Sequence, residues 1–308
     1  MSQSICVVGS LIMDCVIEAP RFPKPGEVLT GGVFHTYAGG KGASQAVAAA
    51  RLGAQTSLVG ALGDDAWGAD LRTVLTADGV ELSGLVTFPQ VTTGAGIVAV
   101  VPGGECATII AHGANDLLTP DHVRANEASI AKADMLLLQL EIPDEVVAAA
   151  VDIAKSADTT ILLNASPAHS LPVELLDRVD LLVVNEEDAR MLTGSDKDVR
   201  PSGLARRLKA LGPGRVVVTI GRRGAVAFDG EKKWDQPSFD VDTIDTTAAG
   251  DAFVGALAVA LTEGQRMEKA LATACAAGSL ATAKSGAIPS LPTREEVEKL
   301  LGLAQGGE

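Results

Sequence analysis

Aromatic side chains are scarce, 3% of the 308 residues. Single-strand nucleic-acid binders stack bases on such rings, so this chain is not expected to be one. Blocks of Lys or Arg are also lacking, and the net charge is −14. Neither nucleic acid nor an anionic membrane is an expected partner for that surface. ATP stays admissible, because it arrives with magnesium and is held by local amides. The four cysteines, Cys6, Cys15, Cys106 and Cys275, form no Cys-x-x-Cys pair. The four histidines, His35, His112, His122 and His169, have no metal-ligand spacing. Reduced thiols are expected, with Cys6 in an apolar run of the core. No charged-then-apolar leader opens the sequence, and no apolar run reaches membrane-spanning length. A cytoplasmic setting is the expectation.

What is present is an alternation. "SICVVGS", "TSLVGAL", "MLLLQLE", "TTILLNAS", "DLLVVNE" and "GRVVVTIG" read as strands apolar on both faces. Between them lie helical patterns. Ala43, Ala46, Val47, Ala50 and Ala54 share a face in "ASQAVAAARLG", as do Val146, Val147, Ala150, Val151 and Ala154 in "DEVVAAAVDIAK". Such alternation predicts an α/β fold with a mainly parallel sheet, its ligands beyond the carboxyl ends of the strands. Two stretches break the rhythm. Residues 15–37 carry three prolines and no helical period, and residues 92–112 read as a hairpin turning at Pro102-Gly103-Gly104. The organisation expected is an α/β domain of residues 1–14, 38–91 and 113–308, with a β-lid of residues 15–37 and 92–112. Thr293 and Glu296 form a capping box for a last helix ending near Gly302, with a frayed tail beyond.

Two helix mouths carry candidate chemistry. "YAGGKGASQAVAAARLG" sets Gly39, Gly40 and Gly42 around Lys41 just before a helix, where glycines admit close approach and unpaired amides are expected. It is not a Walker loop, since Gly42 follows Lys41, and "VVGSLIMD" lacks the glycines of a dinucleotide fingerprint. In "DTIDTTAAGDAFVGALAVAL" the small residues Ala248, Ala249 and Gly250 precede Asp251 at the start of a nearly all-apolar helix. Phe253, Ala256, Leu257, Ala260 and Leu261 fall on its apolar face. Three converging amides there would stabilise charge growing on a transferring phosphoryl group. The same field would favour an ionised Asp251, ready to accept a proton. The residue types alone equally allow Asp251 to be a simple helix cap.

Together, "AGGKGASQAVAAARLGA" and "DTTAAGDAFVGAL" resemble the two sequence patterns of the ribokinase, or PfkB, family of carbohydrate kinases. The likeness runs through nearly the whole chain, taking in "FPKPGE", "GDDAWG", "HGAND", "QLE", "VVNEEDARMLTG", "VVTIGRRG" and "KSGAIPSLP" in family order. It implies a ribokinase-like three-layer α/β/α domain with a small β-sheet lid, the lid often used for dimerisation. It also implies ATP-dependent transfer of the γ-phosphate to the primary hydroxyl of a small sugar. Ribose comes first, with 2-deoxyribose, a ketose or a nucleoside as alternatives. By position, the resemblance makes Asp251 the general base and the amides of Ala248, Ala249 and Gly250 the anion hole. Ile12, Asp14, Gly39, Gly40, Lys41, Ser44 and Glu141 fall at sugar-contacting positions. Asn185, Thr219, Gly221 and Gly224 fall at nucleotide-contacting ones, with Arg222, Arg223, Gly250 and Cys275 lining the same region. The side chains of Asp245 and Ser290, with carbonyls of Thr247, Ala281, Lys284 and Gly286, match a potassium site. In Asn185-Glu186-Glu187-Asp188 the magnesium-associated carboxylate becomes Asp188, one methylene shorter than the family's Glu.

Two departures bear on the sugar. The family's usual Asn is Ile12 in one place and Ser44 in another. A sugar hydroxyl buried against Ile12 without a partner would cost about 1–3 kcal/mol, which favours a pentose lacking one hydroxyl. Two other classes compete: a non-catalytic sugar or nucleotide sensor, and a dinucleotide-dependent oxidoreductase. An intact Asp251 mouth disfavours the first, and the missing glycine fingerprint disfavours the second.

Overall fold

The structure, a computed structural model, describes residues 3–102 and 106–305. Its strands are β1 (Ser4–Val8), β2 (Ile12–Glu18), β3 (Phe34–Gly39), β4 (Gln55–Gly63), β5 (Leu85–Phe88), β6 (Gly94–Val100) and β7 (Cys106–Ala111). They continue as β8 (Met135–Gln139), β9 (Thr160–Asn164), β10 (Leu181–Asn185), β11 (Arg215–Thr219), β12 (Ala225–Phe228) and β13 (Lys233–Gln236). One sheet runs in the order β13-β12-β11-β10-β9-β8-β1-β4-β5. Neighbours are parallel except where β12 meets β11 and β13. The six apolar runs of the sequence are β1, β4 and β8 to β11. All five residues of β8 are buried, as a strand covered on both faces requires.

Helices cover both faces of the sheet, which separates two cores. One core holds residues of the Lys41–Arg51, Ala249–Thr262 and Met267–Ala281 helices, the other those of the Asp144–Ser156 and Pro201–Lys209 helices. The result is the expected three-layer α/β/α fold. The Ala249–Thr262 helix is buried all round from Ala252 to Ala260, not on one face alone. It is packed between the Lys41–Arg51 and Met267–Ala281 helices, which explains why it can be apolar on every side. Burial of the Lys41–Arg51 helix likewise extends past its predicted face, from Gly42 to Ala49.

A second sheet, β3-β2-β6-β7, pairs β2 antiparallel to β3 and parallel to β6, with β6 antiparallel to β7. Asp14 stands opposite Tyr37 and Gly96, so Ile12 and Asp14 share a face with Gly39, Gly94 and Gly96. The other face carries Phe34, Ile97 and Ile109, which are 58%, 58% and 73% exposed. The β6–β7 hairpin closes through Val100 opposite Cys106, while Gly103 and Gly104 of the expected turn lie outside the described residues. The capping box forms: the Thr293 amide donates to Glu296 and the Glu296 amide to Thr293 Oγ1. That helix runs to Gln305, past the expected end at Gly302. Leu300 and Leu301 pack on the core and offset the modest cost of glycine in a helix.

The Lys41–Arg51 and Ala249–Thr262 helices approach each other through Gly255, where a Cβ would lie 2.6 Å from Ala48 Cβ. Gly255→Val should therefore cost about 1–3 kcal/mol by overpacking and lower turnover, since these helices carry Lys41 and Asp251. Urea unfolding with steady-state kinetics checks this; a variant of unchanged stability would show that the contact can relax freely.

Candidate active site

Four strand ends and two helix mouths meet on one side of the main sheet. Gly40, at φ 88°, turns the chain into the Lys41–Arg51 helix. The first amides of that helix are not free, contrary to the expectation for this glycine-rich mouth. Lys41 N donates to Glu141 Oε2 at 3.0 Å and Ala43 N to the Ser10 carbonyl at 2.9 Å. The Ser10 hydroxyl adds a 2.5 Å bond to the same Glu141 oxygen. The segment after β1 folds over this mouth and fills the place a ligand anion would take. Glu141, 5% exposed, thus caps the Lys41–Arg51 helix from a buried position.

The other mouth stays open. Ala248 adopts the left-handed conformation, φ 57°, and leads into the Ala249–Thr262 helix. Among the described residues, the amides of Ala248, Gly250 and Asp251 have no acceptor, whereas Ala249 N reaches the Thr246 carbonyl at 3.3 Å. The free amides therefore run one residue further along than the sequence suggested. They border a cavity of about 830 Å³ that Lys41, Asn164 and Asp251 also line.

Asp251 Oδ1 accepts a 2.9 Å hydrogen bond from Gln45 Nε2. Burial raises its carboxyl, the Lys41 ammonium and the Gln45 bond lower it, and Glu141 raises it, leaving it at about 6. Desolvation is the largest of these effects, and at about 6 the carboxyl is still mostly ionised at neutral pH, as a proton acceptor must be. Lys41 responds to the same crowd. Burial opposes its charge, but the carboxylates of Asp251, Glu141, Asp188 and Asp14 outweigh burial and raise its pKa. Asp14 rests against Gly39 and Gly96, where a side chain would collide with its oxygens. Burial first, then Glu141 and Asp251, push it up to about 7 against the pull of Lys41. Ile12, on the same face of β2, is 2% exposed. The Ser44 hydroxyl is buried with no hydrogen-bond partner among the described residues.

At the far end the cavity is lined by Asn185, Thr219, Gly221, Arg222, Gly224 and Cys275. Burial pushes the Cys275 thiol up to about 12, so it stays neutral. Arg223 does not line the cavity and pairs at 2.6 Å with Glu186, which does. Asp188 is occupied: Oδ1 accepts from Ala168 N at 3.0 Å and Oδ2 from Asn185 Nδ2 at 2.6 Å. Each of its oxygens keeps a further lone pair, while Glu187 lines the cavity and makes no hydrogen bond among the described residues. No cluster of three or more His, Cys, Asp or Glu suited to a metal occurs among the described residues.

Asp245 and the segment from Ala281 to Ser290 meet as expected of a shared loop site. Asp245 Oδ2 accepts from Gly286 N at 2.8 Å, and Oδ1 from Thr247 N and Oγ1 at 2.9 and 2.7 Å. The Asp245 amide reaches the Thr282 carbonyl at 3.1 Å. Ser290 Oγ is buried on the Ala287 carbonyl at 2.8 Å, and Lys284 Nζ turns outward to Glu296 at 2.7 Å.

A partly buried carboxylate and free helix amides border one cavity beyond the strand ends of an α/β/α fold, an arrangement suited to phosphoryl transfer. Residues 2–294 match the family described as pfkB family carbohydrate kinase, and the chain belongs to that family. It is an ATP-dependent carbohydrate kinase. Over 299 residues it is 40% identical to the ribokinase of Bacillus subtilis, covering 97% of this chain and 99% of that one. It is 30% identical over 304 residues to the deoxyribokinase of Salmonella typhi, covering 98% and 99%. The structure of Arabidopsis thaliana ribokinase complexed with ribose and ATP superposes with a TM-score of 0.90 at 35% identity, covering 98% and 99%.

The Asp14 shift has a consequence for stability. Its carboxyl rises from 3.8 to about 7 on folding, so between those values the folded chain holds the extra proton. Its contribution therefore falls as pH rises through that window. Asp14→Asn should raise Tm by a few degrees, about 2–4 °C per kcal/mol gained, at pH 8, with the gain shrinking toward pH 5. Thermal unfolding at both pH values decides it; a gain equal at both, or a loss at pH 8, would contradict the repulsion.

Proposed function

We propose that this kinase phosphorylates ribose, with Asp251 as the base and the amides of Ala248, Gly250 and Asp251 as the anion hole. The observation that carries the reading is one half-buried carboxyl with an oxygen free at a cavity that those amides also border. Asp251 Oδ2 takes the proton of the primary hydroxyl. The hydroxyl oxygen forms a bond to the γ-phosphorus, and the bond from that phosphorus to its bridging oxygen breaks. ADP leaves with the electron pair, and the product is ribose 5-phosphate. Charge growing on the transferring group meets preorganised N–H donors, which need no reorganisation during the step. Lys41, Asp14 and Glu141 hold the sugar, and the Asn185, Thr219 and Gly221–Gly224 end of the cavity holds the nucleotide. The β2-β3-β6-β7 sheet acts as the lid, excluding water from the transfer.

Magnesium accompanies ATP and neutralises charge on the phosphate oxygens. On this chain Glu187, which lines the cavity, and Asp188, whose oxygens each keep a lone pair beside one hydrogen bond, would hold it or its water shell. Potassium suits the hard oxygens of Asp245 and Ser290 and the carbonyls of Thr247, Ala281, Lys284 and Gly286. It would fix the shape of the loop that leads to Ala248. No helix of the described residues is long and apolar enough to cross a membrane, and a cytoplasmic setting, where ATP is made available, fits the reaction.

One observation favours a second substrate. Ile12 is buried beside Asp14 on the lid face and can neither donate nor accept a hydrogen bond. A hydroxyl placed against it would cost about 1–3 kcal/mol, so 2-deoxyribose loses less there than ribose does. ATP turnover with ribose and 2-deoxyribose in parallel ranks the two. Asp251→Asn should keep the fold and lower kcat on the better sugar by about 10²–10⁴-fold. Near-normal turnover in that variant would remove Asp251 from the mechanism.

Phe34, Ile97 and Ile109 make the outer face of the lid apolar, and a second copy of the chain is its proposed cover. Ile109→Lys should convert a dimer into a monomer in light scattering. A wild-type monomer at micromolar concentration, or a variant that stays dimeric, would dismiss the lid as the interface.

A further inference from the structure

Beneath the cavity lies a chain of side-chain amides that the reaction has not yet used. Gln45 and Gln139 are both fully buried, and Asn164 nearly so. They come from the Lys41–Arg51 helix and from the last residues of β8 and β9. Asn164 Nδ2 donates to the Val183 carbonyl at 3.1 Å, which leaves Asn164 Oδ1 as an acceptor. Gln45 Nε2 must then be the donor, at 3.0 Å, and its second N–H goes to Asp251 Oδ1 at 2.9 Å. Gln139 Nε2 donates to Gln45 Oε1 at 2.7 Å and completes the set. A backbone carbonyl thus fixes the direction of every link. Turning the Gln45 amide over would set its oxygen against both the Asn164 oxygen and the Asp251 carboxylate. Gln139 Oε1 is buried without a partner among the described residues, against Gly9, where any side chain would collide with it. That unfilled acceptor is retained in the core, a cost with no return in local stability.

We infer that Gln45, held by Gln139 and Asn164, is a positioning residue that assigns the two oxygens of Asp251 their separate tasks. Oδ1 faces a permanent N–H donor, which draws on its lone-pair density and makes it the weaker proton acceptor. Oδ2 accepts no hydrogen bond among the described residues and is left as the better site for the hydroxyl proton. The carboxylate plane is pinned as well, so the basic lone pair keeps one aim. This rests on Asp251 being the base. Besides Gln45, the charged groups around Asp251 are Lys41 on the same helix, Glu141 after β8 and Asp14 on β2, with Asp188 behind Lys41. The Gln45 bond and Lys41 lower the Asp251 carboxyl together against burial and Glu141.

The test compares Gln45→Leu, Gln139→Leu and Asp251→Asn in the full chain, with kcat, both KM values and the pH profile of kcat/KM. Gln45→Leu should lower kcat roughly ten- to a hundredfold through misaim of the base, with KM for sugar and ATP within about threefold. Its acid limb should move up by about one pH unit, the worth of one hydrogen bond to a charged group. Gln139→Leu should shift both readouts in the same direction by less, and it serves alone should Gln45→Leu fail to fold. Adding Gln45→Leu to Asp251→Asn should cost nothing further. An unmoved acid limb, a loss confined to KM, or a full extra loss in the double variant would overturn the positioning role. Near-normal turnover of Asp251→Asn would instead overturn the base assignment and this role with it.

Discussion

The crowding of four carboxylates around one ammonium at the ends of the strands governs the rest of the structure. Asp251, Glu141, Asp188 and Asp14 all act on Lys41; Asp14 is raised by burial, Glu141 and Asp251, and Asp251 by burial and Glu141. So many negative charges against one positive cannot be held cheaply out of water. Part of the cost is met by proton uptake, part by hydrogen bonds from Ser10 and the Lys41 amide to Glu141. The remainder persists as a site that favours ligands able to donate hydrogen bonds to carboxylates, as a polyol does. A site built this way trades stability for function.

The fold supplies the geometry for that crowding. Parallel strands end on the same side of the sheet, so β1, β8 and β9 deliver Ser10, Gln139, Glu141 and Asn164 together. The Lys41–Arg51 and Ala249–Thr262 helices lie side by side over these ends and point both their amino termini the same way. Their mouths then diverge in use. The first is filled by protein acceptors and becomes rigid, while the second keeps free amides and becomes the place where charge can be received.

Much of this was legible in the sequence. The six continuous apolar runs are the central strands, because a strand buried on both faces cannot alternate. β5, β12 and β13 were not legible: each has four residues at or near a sheet edge, too few for a period. The small residues before Asp251 told of an open helix mouth, and the glycines around Lys41 told of a tight one. That the amides after Gly40 would be taken could not be read, since Ser10 and Glu141 reach them across long separations. That Asp251 would be ionised near neutral pH could be read from its helix mouth, but its rise to about 6 could not, since desolvation depends on what packs around it. Gln45 was missed altogether. Its only signal was one long polar residue among the small ones of "ASQAVAAA", matched by the glutamine that ends "MLLLQ".

The central claim is that Asp251 is a base tuned by burial beside the open helix mouth. Carbon-13 NMR titration of the aspartate carboxyls in wild type and Asp251→Asn tests it directly. The account predicts one carboxyl resonance titrating at about 6 that vanishes in the variant. A full set of carboxyls titrating in the ordinary aspartate range, with only such a signal lost on substitution, would contradict it.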